Sequence, residues 1–294
     1  MPTCKVTVIV PTTAQRSRFS EIQRCIASIR ASSINPIQII AVVNGSRFDD
    51  EVCDWLKEQA DLQYEYDVMP SAPNAVLHGR RLVTTPYFST LDDDDEYLVG
   101  GTDLKMQVLD ASPETDLVVT NAYRLCGSEE AVIYSHLDRV PDQPLASLFE
   151  ANWLHNGNAL FRTASIHEVF FDNFRPYAEW TWLAYKFSLA GIRVETILQP
   201  TFRVHVTAGS LSQSDAYVDY YLPLYQSMLA LTPPPEIEAL IKRKMSAAWH
   251  LQSERELKRK QWGAAVRSHF RSLFLPGGVR YLSFSARLVF PGAR

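Results

Sequence analysis

The chain opens on a short block of β-branched and apolar residues, Val6–Val10, that stops at Pro11. Such a run predicts a strand buried on both faces. Ser20 with Gln23 three residues on reads as a capping box. Ile22, Cys25, Ile26 and Ile29 then repeat at the i, i+3, i+4, i+7 spacing of an amphipathic helix. A second apolar block, Ile37–Val43, follows Asn35-Pro36 and ends at Asn44-Gly45-Ser46. Asp50–Glu58 predicts another helix, Phe88–Leu91 a third strand and Asp116–Thr120 a fourth. Strands separated by helices predict βαβ units and a mostly parallel sheet. Ligands of such sheets sit at the carboxyl ends of the strands. On that rule Pro11–Thr13, Asn44–Ser46 and the acidic run after Leu91 border one crevice. Further on, residues 176–191 read as a helix closed by Gly191, followed by a strand over Arg193–Leu198.

Composition narrows the class. Of 294 residues, 46% are hydrophobic and 21% charged, as in a soluble globular protein long enough to bury a core without staples. The four cysteines form no CxxC pair, which argues against a zinc knuckle or a disulfide framework. No run of about 18 apolar residues predicts a spanning helix, and the first residues lack the pattern of a signal peptide. The expected location is cytoplasmic. Net charge is −4, yet residues 242–294 hold twelve Lys/Arg against Glu254 and Glu256, a balance of +10 that leaves −14 on residues 1–241. Pro233-Pro234-Pro235 marks a boundary, because three prolines exclude a continuing helix. The expected domains are therefore 1–232 and a helical, basic extension, 233–294. That extension reads either as a peripheral anchor on an anionic membrane surface or as a helical cap that packs on the acidic body or joins two copies. No recognition motif accompanies its charge, so a nucleic-acid partner is not expected.

Asp92-Asp93-Asp94-Asp95-Glu96 directly follows a predicted buried strand. Adjacent carboxylates repel, and a fold tolerates them where solvent or a cation compensates. Residues two apart at a strand end share a side, so Asp92 and Asp94 can reach one divalent ion or the diphosphate bound to it. Hard oxygen donors suit Mg²⁺ or Mn²⁺. The plainer alternative is a solvated acidic turn.

From here the chain resembles the inverting family 2 glycosyltransferases, over residues 5–210. The resemblance is carried by VTVIVPTTAQR (Val6–Arg16), IIAVVNGS (Ile39–Ser46), HGRRLVTTPYFSTLDDDD (His78–Asp95), GNALFRTASIHEVFFDNF (Gly157–Phe174), AEWTWLAYKFSLAG (Ala178–Gly191) and FRVHVTAGSLS (Phe202–Ser212). It implies the GT-A fold, an α/β, Rossmann-like, mixed but mostly parallel sheet flanked by helices. It also implies a nucleotide-sugar donor (UDP, dTDP or GDP sugar), Mn²⁺ or Mg²⁺, and a saccharide or lipid-linked acceptor. Carried over by position, Asp92 and Asp94 would hold the metal with His205 as a further ligand. Pro11, Thr12, Thr13, Asn44, Arg80, Asp92 and Asp93 would line the donor site. Two departures stand out: Asn44 replaces the family's acid after the second strand, and the expected Glu-Asp pair reads Glu179-Trp180. Trp cannot accept a proton, so Glu179 is the candidate base.

The implied reaction is displacement at the anomeric carbon with inversion. The metal would neutralise charge on the leaving diphosphate, and a carboxylate would take the acceptor proton. Trp153, His155 and Trp180 are candidate acceptor contacts, since aromatic faces pack on sugar rings as well as in cores. A catalytically degenerate binding or scaffold subunit is one competing reading, kept open by Trp180. A sugar nucleotidyltransferase is another, disfavoured because Pro11–Arg16 lacks the glycine-rich phosphate loop that chemistry needs.

Overall fold

A computed structural model describes residues 4–127, 129–175, 177–205 and 220–289. The described residues divide into two compact units. The first runs to Phe174 and resumes at Glu179 through the strand ending at His205; the second comprises Arg175–Ala178 and the helices from Tyr221 onward.

The first unit begins with the first two predicted strands, each followed by its predicted helix. Strand β1 (Val6–Thr12), helix α1 (Phe19–Ala31), β2 (Ile37–Asn44), α2 (Asp50–Lys57), β3 (Leu62–Asp67), α3 (Ala72–Leu82) and β4 (Tyr87–Thr90) give four parallel strands in the order β3-β2-β1-β4. The remaining elements are β5 (Glu96–Tyr97), α4 (Gly101–Ala111), β6 (Leu117–Cys126), β7 (Glu129–Val132), α5 (Pro144–Glu150), β8 (Ala159–Arg162), α6 (Glu179–Leu189) and β9 (Val194–His205). β8 lies antiparallel between β4 and β6, β9 runs parallel to β6, and β5 and β7 pair antiparallel to β9 and β6. The result is a mixed α/β sheet of GT-A type. In its core the β-branched residues Val8 and Ile9 of β1 and the whole Ile22, Cys25, Ile26, Ile29 stripe of α1 are fully buried.

The structure corrects several boundaries. Ser20 is no cap; α1 starts at Phe19 straight out of a 3-10 turn over Arg16–Arg18, and the Ser20 hydroxyl donates to Glu21. A helix that continues from a preceding turn has no extended N-cap position for a serine to fill. β3 was not anticipated, because LQYEYD is half-exposed at the sheet edge and lacks a buried apolar run. Nor was α3, whose span contains both Pro73 and Gly79. Ser71 caps it by accepting from the Asn74 N–H, and Pro73 falls in the first turn, where no donor is missed. Gly79 is required by packing, since a Cβ there would lie 2.5 Å from Cγ2 of the fully buried Ile9. Gly79→Ala should therefore lower stability by about 1–3 kcal/mol through overpacking, despite the roughly 1 kcal/mol helical advantage of alanine; urea unfolding measures it.

In the second unit the helices Tyr221–Ala230, Pro235–Lys258 and Trp262–Leu273 pack in succession. The three prolines do separate two helices, but Tyr221–Ala230 packs on Pro235–Lys258. The division of the chain thus lies upstream of Pro233 rather than at it.

Candidate active site

The carboxyl end of β4 delivers the acidic run as a tight turn in which the Asp95 N–H donates to the Asp92 carbonyl. Burial alternates along it. Asp93 and Asp95 are each 5% exposed, whereas Asp92 and Asp94 lie on the more open side. The two inner carboxylates are tied into the framework. Asp93 accepts from the Thr12 hydroxyl (2.5 Å) and from the Arg18 guanidinium. Asp95 accepts from the His205 N–H at 3.0 Å. Arg18 also reaches Asp94 at 3.1 Å, and Arg24 donates to the Asp94 carbonyl.

These bonds do not discharge the cluster. Burial, then repulsion from Asp94, raises Asp92 to about 7, against the hydrogen bond it accepts from Asn156. Burial raises Asp93 to about 6 in spite of Arg18, and it pushes Asp95 well above the ordinary carboxylate range.

Asp92 faces a narrow cleft that Pro11, Val76, Asn156, Phe174, Glu179 and Trp180 also line. Four elements converge here: β1 brings Pro11, α3 brings Val76, the turn before β8 brings Asn156, and the first turn of α6 brings Glu179 and Trp180. Lys105, fully buried on α4, holds the Asn156 turn by reaching the Gly157 carbonyl at 3.4 Å. Burial raises Glu179 above the usual glutamate range, and its Oε2 is buried with no hydrogen-bond partner; the same holds for Oδ1 of Asn156. Two buried acceptors without a protein partner in one cleft are costly unless water or a bound hydroxyl donates to them, so both are open to a ligand's donor group.

The residues anticipated from sequence divide sharply. Pro11, Asp92, Glu179 and Trp180 meet in the cleft. Thr12 and Asn44 are buried behind it, with Asn44 donating to the Thr12 carbonyl at 2.9 Å; half-buried Thr13 accepts from Gln15. Both therefore shape the loop rather than present free polar groups. Arg80 does not line the cleft. Its guanidinium is buried, donates to the Ile166 and Thr163 carbonyls and lies 4.6 Å over the Phe88 ring. Trp153 is 2% exposed with its indole N–H on the Pro144 carbonyl, so it offers no face to a sugar. His155 is held neutral, with its pKa lowered by burial to about 4, and its Nε2 lies 3.1 Å from the Asn152 carbonyl. It is framework too.

The expected Asp92, Asp94 and His205 triad does not converge. The His205 ring lies 3.3 Å from Glu96, and among the described residues no three His, Cys, Asp or Glu side chains meet at one metal position. The donor chemistry nevertheless fits a hard divalent cation in a narrower form. Asp92 and Asp94 lie on the more open side of the turn, and Mg²⁺ commonly takes one or two carboxylates and completes its shell with substrate phosphates. The serines after His205 lie outside the described residues. Sequence reading missed Arg18, in the 3-10 turn after β1, and Arg24, in α1, although five adjacent acids call for countercharge.

A family model described as glycosyl transferase family 2 matches residues 7–170, more than half of the chain. The chain belongs to glycosyl transferase family 2. No curated protein matches it. Among solved structures, TarS of S. aureus, residues 1–349, superposes with a TM-score of 0.62 at 10% identity, covering 92% of this chain and 80% of that one. The same protein in complex with UDP-GlcNAc gives 0.58 at 11% identity, covering 91% and 89%. Identities this low establish the fold, and with the family match they make the chain a glycosyltransferase. The family 2 match stops at residue 170, before Glu179, so the role of that residue rests on the cleft itself.

Proposed function

We propose that the cleft transfers a sugar from a nucleotide-diphosphate sugar to an acceptor hydroxyl, with inversion, and that Glu179 is the base. The observation that carries this is the unpartnered Glu179 carboxylate oxygen in the cleft that Asp92 also lines. In a direct displacement the acceptor oxygen bonds to the anomeric carbon as the diphosphate departs with the bonding electrons. The acceptor proton passes to Glu179 Oε2. Burial strengthens that carboxylate as a base by raising its proton affinity, and a base poised closer to neutrality is the better catalyst. Asn156 would orient a substrate hydroxyl through its free Oδ1, and half-buried Trp180 would offer its indole face to a sugar ring.

Asp92 and Asp94 are the residues that would hold Mn²⁺ or Mg²⁺ with the donor diphosphate, and the ion would supply Lewis-acid stabilisation of the leaving group. Arg18, paired with Asp93 and Asp94, and Arg24, 3.9 Å from Glu96, would offset part of the remaining negative charge and so lessen repulsion of the donor. UDP-sugars are the first donors to try, because TarS was crystallised with UDP-GlcNAc and with UDP. A cytoplasmic enzyme of polysaccharide or glycolipid assembly would draw on such donors and on saccharide or lipid-linked acceptors.

Calorimetric titration with UDP, GDP and dTDP, each with and without Mn²⁺, tests the reading. One nucleotide should bind, binding should need the ion, and Asp94→Ala should abolish the ion's effect. Tight binding without turnover on any acceptor would instead favour a degenerate binding subunit, the reading that Trp180 in place of an acid keeps open.

A further inference from the structure

The helix Trp262–Leu273 buries Ala265, Ser268, His269 and Ser272 and turns other residues outward. Trp262, Val266, Phe270 and Phe274 recur at intervals of four. Val266 is part-buried, while Trp262 is 39%, Phe270 53% and Phe274 85% exposed. The Phe270 and Phe274 rings stack on each other at 6.4 Å rather than in a core. Past the turn at Pro276-Gly277-Gly278, Val279 and Leu282 are 72% and 56% exposed. These apolar side chains are left uncovered, and Trp262, Val266 and Phe270 also line an apolar groove with Leu288.

Charge says what covers it. Residues 257–294 contain eight Lys/Arg and no Asp or Glu. Among the described residues Arg267, Arg271, Arg280 and Arg287 form no ion pair. Each exposed apolar residue from Phe270 to Leu282 has an arginine within three positions. A folded partner would need a matching pocket for every projecting ring, whereas a lipid interface conforms to them and supplies anionic phosphates at the same depth.

We propose that this face docks on an anionic membrane leaflet, with Phe270, Phe274, Val279 and Leu282 entering the boundary between headgroups and acyl chains and Arg267, Arg271 and Arg280 meeting lipid phosphates. The surface belongs to the second unit alone and stands whether or not the cleft is read correctly. Docking would bring the protein to lipid-linked acceptors by confining it to their surface.

The test is co-sedimentation of the full chain with vesicles of phosphatidylcholine, with and without 30% phosphatidylglycerol. The protein should partition onto the anionic vesicles, release as salt rises, and ignore the neutral ones. Arg267→Gln with Arg271→Gln should weaken binding about 25-fold, from roughly fivefold per basic residue at the surface. Phe270→Ser with Phe274→Ser should weaken it at least tenfold, with nucleotide titration and unfolding midpoint unchanged because both rings are exposed. Equal partition onto neutral vesicles, or none onto either, overturns the proposal. A doubling of mass by light scattering that the Phe270→Ser/Phe274→Ser pair abolishes would also overturn it and assign the face to a second copy.

Discussion

Exchanging Glu179 for glutamine should lower turnover by about 10²–10⁴-fold, the usual contribution of a positioned general base, while donor binding stays unchanged. Glutamine keeps the shape of the side chain and loses only the capacity to take a proton. The change therefore separates chemistry from packing and from donor contacts on Asp92. The pH profile provides a second readout. Burial raises the Glu179 pKa, and the base works only when ionised, so wild-type turnover should climb with pH through that raised value. The glutamine variant should lose this acid limb along with its rate. Glu179→Asp, which withdraws the carboxylate by one methylene, should retain the limb at reduced rate. A full-rate Glu179→Gln enzyme with an intact acid limb would remove Glu179 from the reaction.

The parts of the molecule that were legible in the sequence are those whose signal is local. The β1 strand and the α1 stripe announce themselves because each buries residues at one fixed period, and Gly191 does close α6 with a φ of +71°. β3 and α3 were hidden for opposite reasons. β3 sits at an edge and so carries little burial, while α3 owes its glycine to Ile9, seventy positions away in sequence, and not to any turn. At the site, the alternation of Asp92 to Asp95 followed from strand geometry and held. Long-range pairings did not follow from spacing: Arg18 with Asp93, Asn156 with Asp92, and the His205 ring with Glu96 all depend on how the sheet brings distant loops together. Arg80 and Trp153 lie buried on backbone carbonyls, which spacing could not tell, because an arginine or tryptophan written beside a motif reads the same whether it faces the cleft or the core.

Asp92→Asn should make the protein more stable and less able to bind its donor, and the two effects should part with pH. Asp92 titrates near 7 in the folded state, chiefly because it is buried and also because Asp94 faces it, against about 3.9 for an unfolded aspartate. Between those values the folded chain binds more protons than the unfolded one, so stability falls as pH rises. The penalty is absent below about pH 4 and complete above about pH 7. Asparagine cannot ionise, yet its amide oxygen can still accept from Asn156. The variant should therefore unfold a few degrees above wild type at pH 7.5, and the gap should close by pH 4. Nucleotide-sugar affinity in the presence of Mn²⁺ should fall about 10–100-fold, the weight of a charge-assisted contact. Mn²⁺ with nucleotide should raise the wild-type midpoint far more than that of the variant, since binding to the native state alone adds to its stability. A wild-type midpoint that is flat from pH 4 to 7, together with a destabilised asparagine variant, would make Asp92 a structural partner of Asn156. A carboxylate held at a cost to the fold and needed for binding is what separates a working site from an acidic turn.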